Sequence, residues 1–541
     1  MLAKQIRSPM PSKMSTETRR QRSLPYMMLP PNQEEMYSYG ERHHWVMVVS
    51  SLLSFIGLCV SQVKFALAAP WLWWLLPFLA FTFAYYGVSF VTSIRTPDFN
   101  VELHRAFIEL WRRDRLADGN WPSVDILLPI CGEEALVLWN TWKLVLRMCE
   151  TYPGKCNVYI LDDGNSQEAK EVAECFVGFH YHVRPNRGEM KKAGNLKYGY
   201  DISKGDAILI LDADFCPHRD MLMHMVPYMW EDPKVGIVQS PQYFRTTPQQ
   251  NWLERGAGAV QELFYRYIQV CRDKYDAAIC VGTCALYRRW AWDSIGGPTQ
   301  IDHSEDVWGG IECYEKGWSL KYIPVNLSAG LCPSDYGSFV RQQYRWCLGG
   351  MSLLLSKRFW HMKMPPMTRL CHISGFFYYW HTALFTFVMP IIPTLLVAFL
   401  PQQISWYDYA LLIPSLFYGY IVFPLWHKSD YRLDSGLLDA MAVKMVYGWA
   451  HVFTLFDIIR RRPLGWKPTG SGTGHMRVQT HWHVHHTRLF LLAWGGSSGL
   501  AWIGLCVWRM WRSPAPYNFA LILLAGIVNL LVVLRASTIA E

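Results

Sequence analysis

Charge is missing from long parts of this chain. Residues 45–63, 65–94, 373–407, 409–426, 489–508 and 513–534 contain no Asp, Glu, Lys or Arg. Each stretch supplies the ~20 apolar residues that a bilayer crossing needs, which excludes a wholly soluble protein and predicts about six transmembrane helices. Core helices would be shorter and would keep a polar face. CxxC pairs are also missing: the 14 cysteines lie scattered, so reduced thiols are expected rather than a disulfide framework or a zinc site. The first 42 residues lack a cleavable signal pattern. They carry Lys4, Arg7, Lys13, Arg19, Arg20 and Arg22 among Pro and Ser, and are expected to be a disordered cytosolic tail. The net charge of +9 is partly borne by that tail and suits a membrane surface better than nucleic acid, so no nucleic-acid partner is expected.

Basic residues ahead of the first span place the amino terminus inside. Two crossings (43–95) then return the chain to the cytosol for a polar domain at 96–367. Two further spans (368–428), an interface helix with a loop (429–486) and a last pair of spans (487–541) complete the expected order. Arg509 and Arg512 fall in the last external loop, against the positive-inside trend. The sequon Asn326-Leu327-Ser328 lies in the cytosolic part and is expected to stay unglycosylated.

Within the polar domain, "VDILLPI" from Val124, "CNVYILDDG" from Cys156 and "DAILILDADF" from Asp206 each read as a buried strand ending in polar residues. Strands alternating with helices imply a parallel, doubly wound sheet, whose ligands bind beyond the carboxyl ends of its strands. Asp162 and Asp163 follow one strand, Asp212 and Asp214 the next. A single acid there would be an ordinary helix cap. Two carboxylates spaced as in "DAD" point to one side of an extended chain, and a hard cation such as Mg²⁺ or Mn²⁺, shared with substrate phosphates, would relieve their repulsion. "KKAGNL", from Lys191, offers lysine and small residues in an expected loop, or else a helix start. "DHSEDVW", from Asp302, places Glu305 and Asp306 ahead of a helix, where they serve either as caps or, in the case of Asp306, as a general base. "VRQQYRWCLGG", from Val340, stands before the third apolar run. A juxtamembrane lipid-binding patch would use Arg341 and Arg345 but give no reason for Gln342 or Trp346 at that spacing.

Taken in order, "LDDG", "KAGN", "DAD", "SED" and "QQYRW" resemble the signature of the processive family 2 glycosyltransferases, which include cellulose, chitin, curdlan and hyaluronan synthases. The resemblance runs from Val124 to about Gly474. It implies an α/β GT-A-type domain inserted between transmembrane helices, a UDP-sugar donor and inverting transfer to a growing polysaccharide acceptor. It further implies that Asp162 and Asp163 contact uridine and that Lys192 sits near the nucleotide. Asp212 and Asp214 would bind metal and diphosphate, Asp306 would be the catalytic base, and Gln342 and Arg345 would lie by the diphosphate and acceptor while Trp346 stacks on the terminal sugar. Arg345 would stabilise charge on leaving UDP, and an indole face suits the apolar face of a pyranose.

Some positions depart from the family. "PICGE", Pro129 to Glu133, has Cys131 where an aromatic is usual; "ICVGT", Ile279 to Thr283, has Val281 in place of a cysteine; Ser304 replaces a threonine. Residues 438–462 are amphipathic, with Lys444, His451 and Asp457 breaking the apolar pattern, and are expected to lie in the membrane interface. "GWKPTGSG", from Gly465, resembles the family's gating loop, with Trp466 and Thr469 at its characteristic positions; an ordinary surface turn is the alternative. "HWHVHH", from His481, has no Cys or acid beside it and is excluded from the site. No polar domain is expected after the last span. The expected activity is polymerisation of a β-glucan from UDP-glucose with export across the plasma membrane, the catalytic domain being cytosolic. A chitin or hyaluronan synthase using UDP-GlcNAc, and a non-processive transferase with a lipid acceptor, are the alternatives; a homo-oligomer is left open.

Overall fold

The computed structural model describes residues 28–40, 44–93, 99–388, 390–411, 413–417, 436–461 and 486–538. Ten strands occupy the polar domain: β1 (Val124–Ile130), β2 (Cys156–Asp162), β3 (Phe179–His182), β4 (Ala207–Ile210), β5 (Cys216–Pro217), β6 (Val235–Gln239), β7 (Tyr243–Phe244), β8 (Ala285–Arg288), β9 (Ser319–Tyr322) and β10 (Ser328–Gly330). Seven form one sheet in the order β3-β2-β1-β4-β8-β6-β9, and β5-β10-β7 form a second, smaller one. The sheet is mixed rather than wholly parallel. β8 runs antiparallel to both β4 and β6. Its reversal has a use: the loop entering β8, not one leaving it, meets the carboxyl end of β4, where Cys284 N donates to Ile210 O at 3.0 Å.

All seven residues of β1 are buried, as expected of a central strand covered on both faces. Pro129 within it would normally break a ladder. Along β1, alternate residues bond to alternate neighbours: Leu127 O accepts from Leu211 on the β4 side and Ile130 O from Asp163 on the β2 side. Pro129 therefore turns its missing N–H toward β4, whose pairing with β1 has already ended at Leu127.

The expected disordered tail is corrected in part, because residues 28–40 fold onto the domain. Asn32 and Glu35 make a reciprocal capping box on the Gln33–Tyr37 helix. Glu35 then takes a two-pronged ion pair from Arg245 at 2.6 and 2.8 Å, while Met36 and Tyr39 are buried and Tyr39 Oη donates to Glu262 at 2.8 Å. Asn326 of the sequon is fully buried; its backbone N–H donates to Met36 O at 2.9 Å and its side-chain amide to Glu35 O at 2.8 Å. An amide spent in this way is closed to glycosylation. All 14 cysteines are free thiols.

Six helices among the described residues are long and apolar enough to cross a membrane: Val48–Ala68, Pro70–Ser93, Pro366–Phe399, Leu438–Ile459, Thr487–Arg512 and Pro516–Ser537. This set differs from the sequence expectation. The run at 409–426 is described only through its short Trp406–Ala410 and Ile413–Phe417 helices, and the expected interface helix joins the set instead. That helix, Gly436–Ile459, packs against Trp252–Glu262, Tyr336–Leu354, Pro366–Val388 and Ala520–Ser537. Most of its polar side chains turn to protein partners. Asp439 is held by Arg255 at 2.8 Å and Arg535 at 2.7 Å, His451 Nδ1 lies 2.6 Å from Thr382 Oγ1, and Asp457 accepts from Tyr344 Oη at 2.8 Å. Arg509 also finds a local use, donating to Val397 O at 3.1 Å and Ala398 O at 2.5 Å beside the carboxyl end of the Ile391–Phe399 helix.

Candidate active site

The two acids at the carboxyl end of β2 divide their work. Asp162 is fully buried and accepts from the backbone N–H groups of Gly164, Asn165 and Ser166 at 2.7, 3.0 and 2.8 Å and from Tyr181 Oη at 2.6 Å. A carboxylate so occupied shapes the loop and is absent from the cavity wall. Asp163 lines the cavity while holding Arg184 through two bonds of 2.6 Å.

After β4, Lys192 Nζ lies 2.5 Å from Asp212 Oδ1 and 3.0 Å from Gly282 O. "KKAGNL" opens a helix, Lys191–Ile202, rather than forming a loop, and the first turn of that helix delivers Lys192 to the site. Enclosure opposes the lysine's charge, but Asp212, Glu305 and Asp306 outweigh it and hold its pKa above the usual value. Asp214 is open to the cavity. Enclosure by the cavity walls, with Asp212 adding its repulsion, pushes its carboxyl up to about 7. Glu133, from the "PICGE" segment, faces the same group; burial raises it to about 7, with Asp212 and Asp162 adding to the shift.

Asp306 sits in the first turn of the Glu305–Glu315 helix. Burial raises its pKa, and the neighbouring Glu305 raises it further, although Lys192 pulls the other way. The residue before the pair, Ser304, has φ +55°, an uncommon conformation for a side-chain-bearing residue. Gly282 has φ +73°, and a β-carbon there would lie 2.8 Å from Asp306 Oδ2, so glycine is required on both counts. Its neighbour Thr283 accepts from Asp212 N at 2.8 Å. The loop entering β8 thus braces Asp212, Lys192 and Asp306 at once.

The fourth wall is the Tyr336–Leu354 helix, N-capped by Asp335, whose side chain accepts from Ser338 N. Phe339, Val340, Gln343, Tyr344 and Cys347 bury one face of this helix. Gln342, Arg345 and Trp346, at positions i, i+3 and i+4, share the other face and line the cavity. Enclosure lowers Arg345 to about 10, which leaves it cationic at neutral pH. One cavity of about 3140 Å³ takes in Asp163, Lys192, Asp212, Asp214, Asp306 and this helix face. It continues between apolar helices past Ser89, Tyr379 and Phe385 to Asn529.

Thus Asp163, Lys192, Asp212, Asp214, Asp306, Gln342, Arg345 and Trp346 come together, and Asp162 stands behind the wall. Thr469, Trp466 and the rest of the expected gating loop lie outside the described residues, as do His481–His485 of the histidine run. The sequence motifs assigned no site role to Glu133, Glu305 or Gly282. The first two are acids inside quoted segments, a signal that was there to be used; the third needs the contact with Asp306, which no local pattern displays. Among the described residues no group of three His, Cys, Asp or Glu side chains is placed to hold a metal ion. Asp212 and Asp214 nevertheless form the donor set that a hard divalent cation would relieve, with its remaining ligands drawn from a diphosphate and water.

A family model described as "Glycosyl transferase family group 2" matches residues 207–422. The "Cellulose synthase 1 catalytic subunit [UDP-forming]" of Komagataeibacter xylinus is 34% identical over 277 residues, covering 50% of this chain and 36% of that relative. A cellulose synthase catalytic subunit of Xanthomonas axonopodis pv. citri is 28% identical over 265 residues, covering 48% and 36% respectively. The matched region therefore spans little more than a third of these relatives' own length. Among solved structures, a mannosyltransferase from Pyrobaculum calidifontis in complex with GDP-Man and Mn²⁺ superposes with a TM-score of 0.44 at 18% identity, covering 66% of this chain and 96% of that one. Residues 207–422 of this integral membrane chain are thus similar to the group 2 glycosyl transferases, and half of its length is similar to cellulose synthase catalytic subunits.

Proposed function

We propose that the chain is a processive, inverting glycosyltransferase that polymerises a β-linked glucan from UDP-glucose and passes the product through its membrane helices. The observation that carries the reading is the single cavity joining Asp212, Asp306 and Trp346 to the space between those helices. In this reading Asp306 takes the proton from the attacking hydroxyl of the polymer's terminal sugar. Enclosure and Glu305 both make its carboxylate more basic, which suits it to that task. As UDP departs, Arg345 and Lys192 face the charge that grows on its phosphates. Trp346 offers an indole face to the terminal sugar from one helical turn's distance beside Gln342. Asp212 and Asp214 are the residues that would hold Mg²⁺ or Mn²⁺, which would supply further neutralisation of the diphosphate. Asp163, with Arg184 paired behind it, would contact the uridine, with the catalytic domain cytosolic and the growing chain leaving across the plasma membrane.

The test is incubation of purified protein with Mg²⁺ or Mn²⁺ and each common UDP-sugar in turn, measuring UDP release and digesting any polymer with linkage-specific glycosidases. Polymer from UDP-glucose is expected, together with loss of synthesis but not of UDP binding in Asp306→Asn. Full synthesis by that variant would refute the base assignment, and short products extractable into organic solvent would favour a lipid acceptor instead.

A further inference from the structure

Two segments of the site, the Glu305–Glu315 helix with its preceding turn and the Tyr336–Leu354 helix, meet at one unusually close point. A β-carbon built on Gly349 would lie 1.7 Å from Ser304 Oγ and 2.6 Å from Ser304 Cβ; its next neighbour, at 3.9 Å, is Ser304 Cα. The obstruction is therefore the Ser304 side chain and nothing else. Ser304 stands two residues before Asp306 at φ +55°, so its position fixes how the base-bearing helix begins. Gly349 stands three residues after Trp346, on the helix that carries Gln342, Arg345 and Trp346. The same two helices are tied again by Trp308 Nε1 donating to Ser352 Oγ at 3.2 Å, while Ser352 Oγ donates to Gly349 O at 2.7 Å. On its other side Asp306 abuts Gly282, so its carboxylate is bounded by one glycine directly and by a second through Ser304.

We infer that Gly349 is a positioning residue: by having no side chain it seats Ser304 against the acceptor-side helix and so sets the separation between Asp306 and the Arg345–Trp346 face. Glycine is otherwise a poor choice at this place. Position 349 is interior to a 19-residue helix, where alanine is the better helix former. Its φ is helical rather than positive, so no backbone conformation demands glycine. What demands it is the close approach. The inference rests on the proposed transfer reaction, because only a reaction between those two helices makes their spacing matter to rate.

The experiment compares wild type, Gly349→Ala, Ser304→Gly and the double variant, with UDP release and UDP binding measured on the full chain. Gly349→Ala is expected to lower kcat by about a hundredfold, the scale of an ångström's misplacement, with KM for the UDP-sugar and UDP affinity changed less than about twofold. The double variant is expected to turn over like Ser304→Gly alone, since removing the serine side chain clears every clashing atom. Several results would overturn the inference: a Gly349→Ala enzyme with unchanged kcat, a loss carried wholly by KM, or a double variant no better than Gly349→Ala. Failure of the double variant to fold would overturn it too, because that variant retains no predicted clash. If wild type released no UDP from any UDP-sugar, the proposed function would fall first and this inference with it, an outcome that the variants alone cannot produce.

Discussion

Asp306 is governed by its immediate neighbours. In its proposed role as base it works only when deprotonated, and both enclosure and Glu305 raise the pH at which this carboxyl loses its proton. The rate should therefore be full at high pH and fall as pH drops through a limb lying above the ordinary carboxylate range. Replacing Glu305 by Gln removes the like charge, so the limb of a kcat-against-pH profile should move to lower pH. A limb that stayed in place would show that enclosure alone sets it. Lys192 is a second such residue: it joins Asp212 to the loop that braces Asp306. Asp162 illustrates how residue identity alone misleads. The "LDDG" pattern marks two acids equally, yet four donors converge on the first and leave only the second facing the cavity.

Elements show which features were legible in advance. β1 and β2 were readable because an apolar run bounded by polar residues has few other solutions. The antiparallel direction of β8 was not readable, because four residues such as "ALYR" carry no mark of strand direction. Nor was the folding of residues 28–40, since its contacts lie with Arg245, Glu262 and Asn326, more than two hundred positions away. This strap yields a stability prediction. Deleting residues 1–27 leaves all of these contacts, whereas deleting 1–40 also uncovers the pockets of Met36 and Tyr39. Loss of a buried side chain of that size costs about 2–5 kcal/mol. A thermal-unfolding comparison in detergent should therefore show the longer truncation clearly destabilised, and equal midpoints would remove the strap from the folded core.

Across the whole molecule, Asp439 joins three parts: Arg255 of the catalytic domain, its own helix, and Arg535 of the last span. Its carboxylate is fully buried, so Asp439→Asn would leave two arginines facing a neutral group, a loss of about 3–5 kcal/mol that a thermal scan can read. The cavity offers a test of the proposed export. Ser89 and Ser374, on different spans, approach within 3.3 Å at its wall, and a tryptophan at position 89 would intrude into the passage. Ser89→Trp should shorten the polymer, read by gel filtration, while KM for the donor stays put; unchanged length would argue that the product leaves by another way. One consequence of the strap concerns the chain's own synthesis. Met36 waits for Asn326, 290 residues later, with two spans inserted in between. At roughly 5–20 residues per second the ribosome needs about 15–60 s to deliver that partner. Until then the segment can engage only part of its seat, through Asn140, Arg245 and Glu262, and its capture is completed only as the nascent domain is nearly whole.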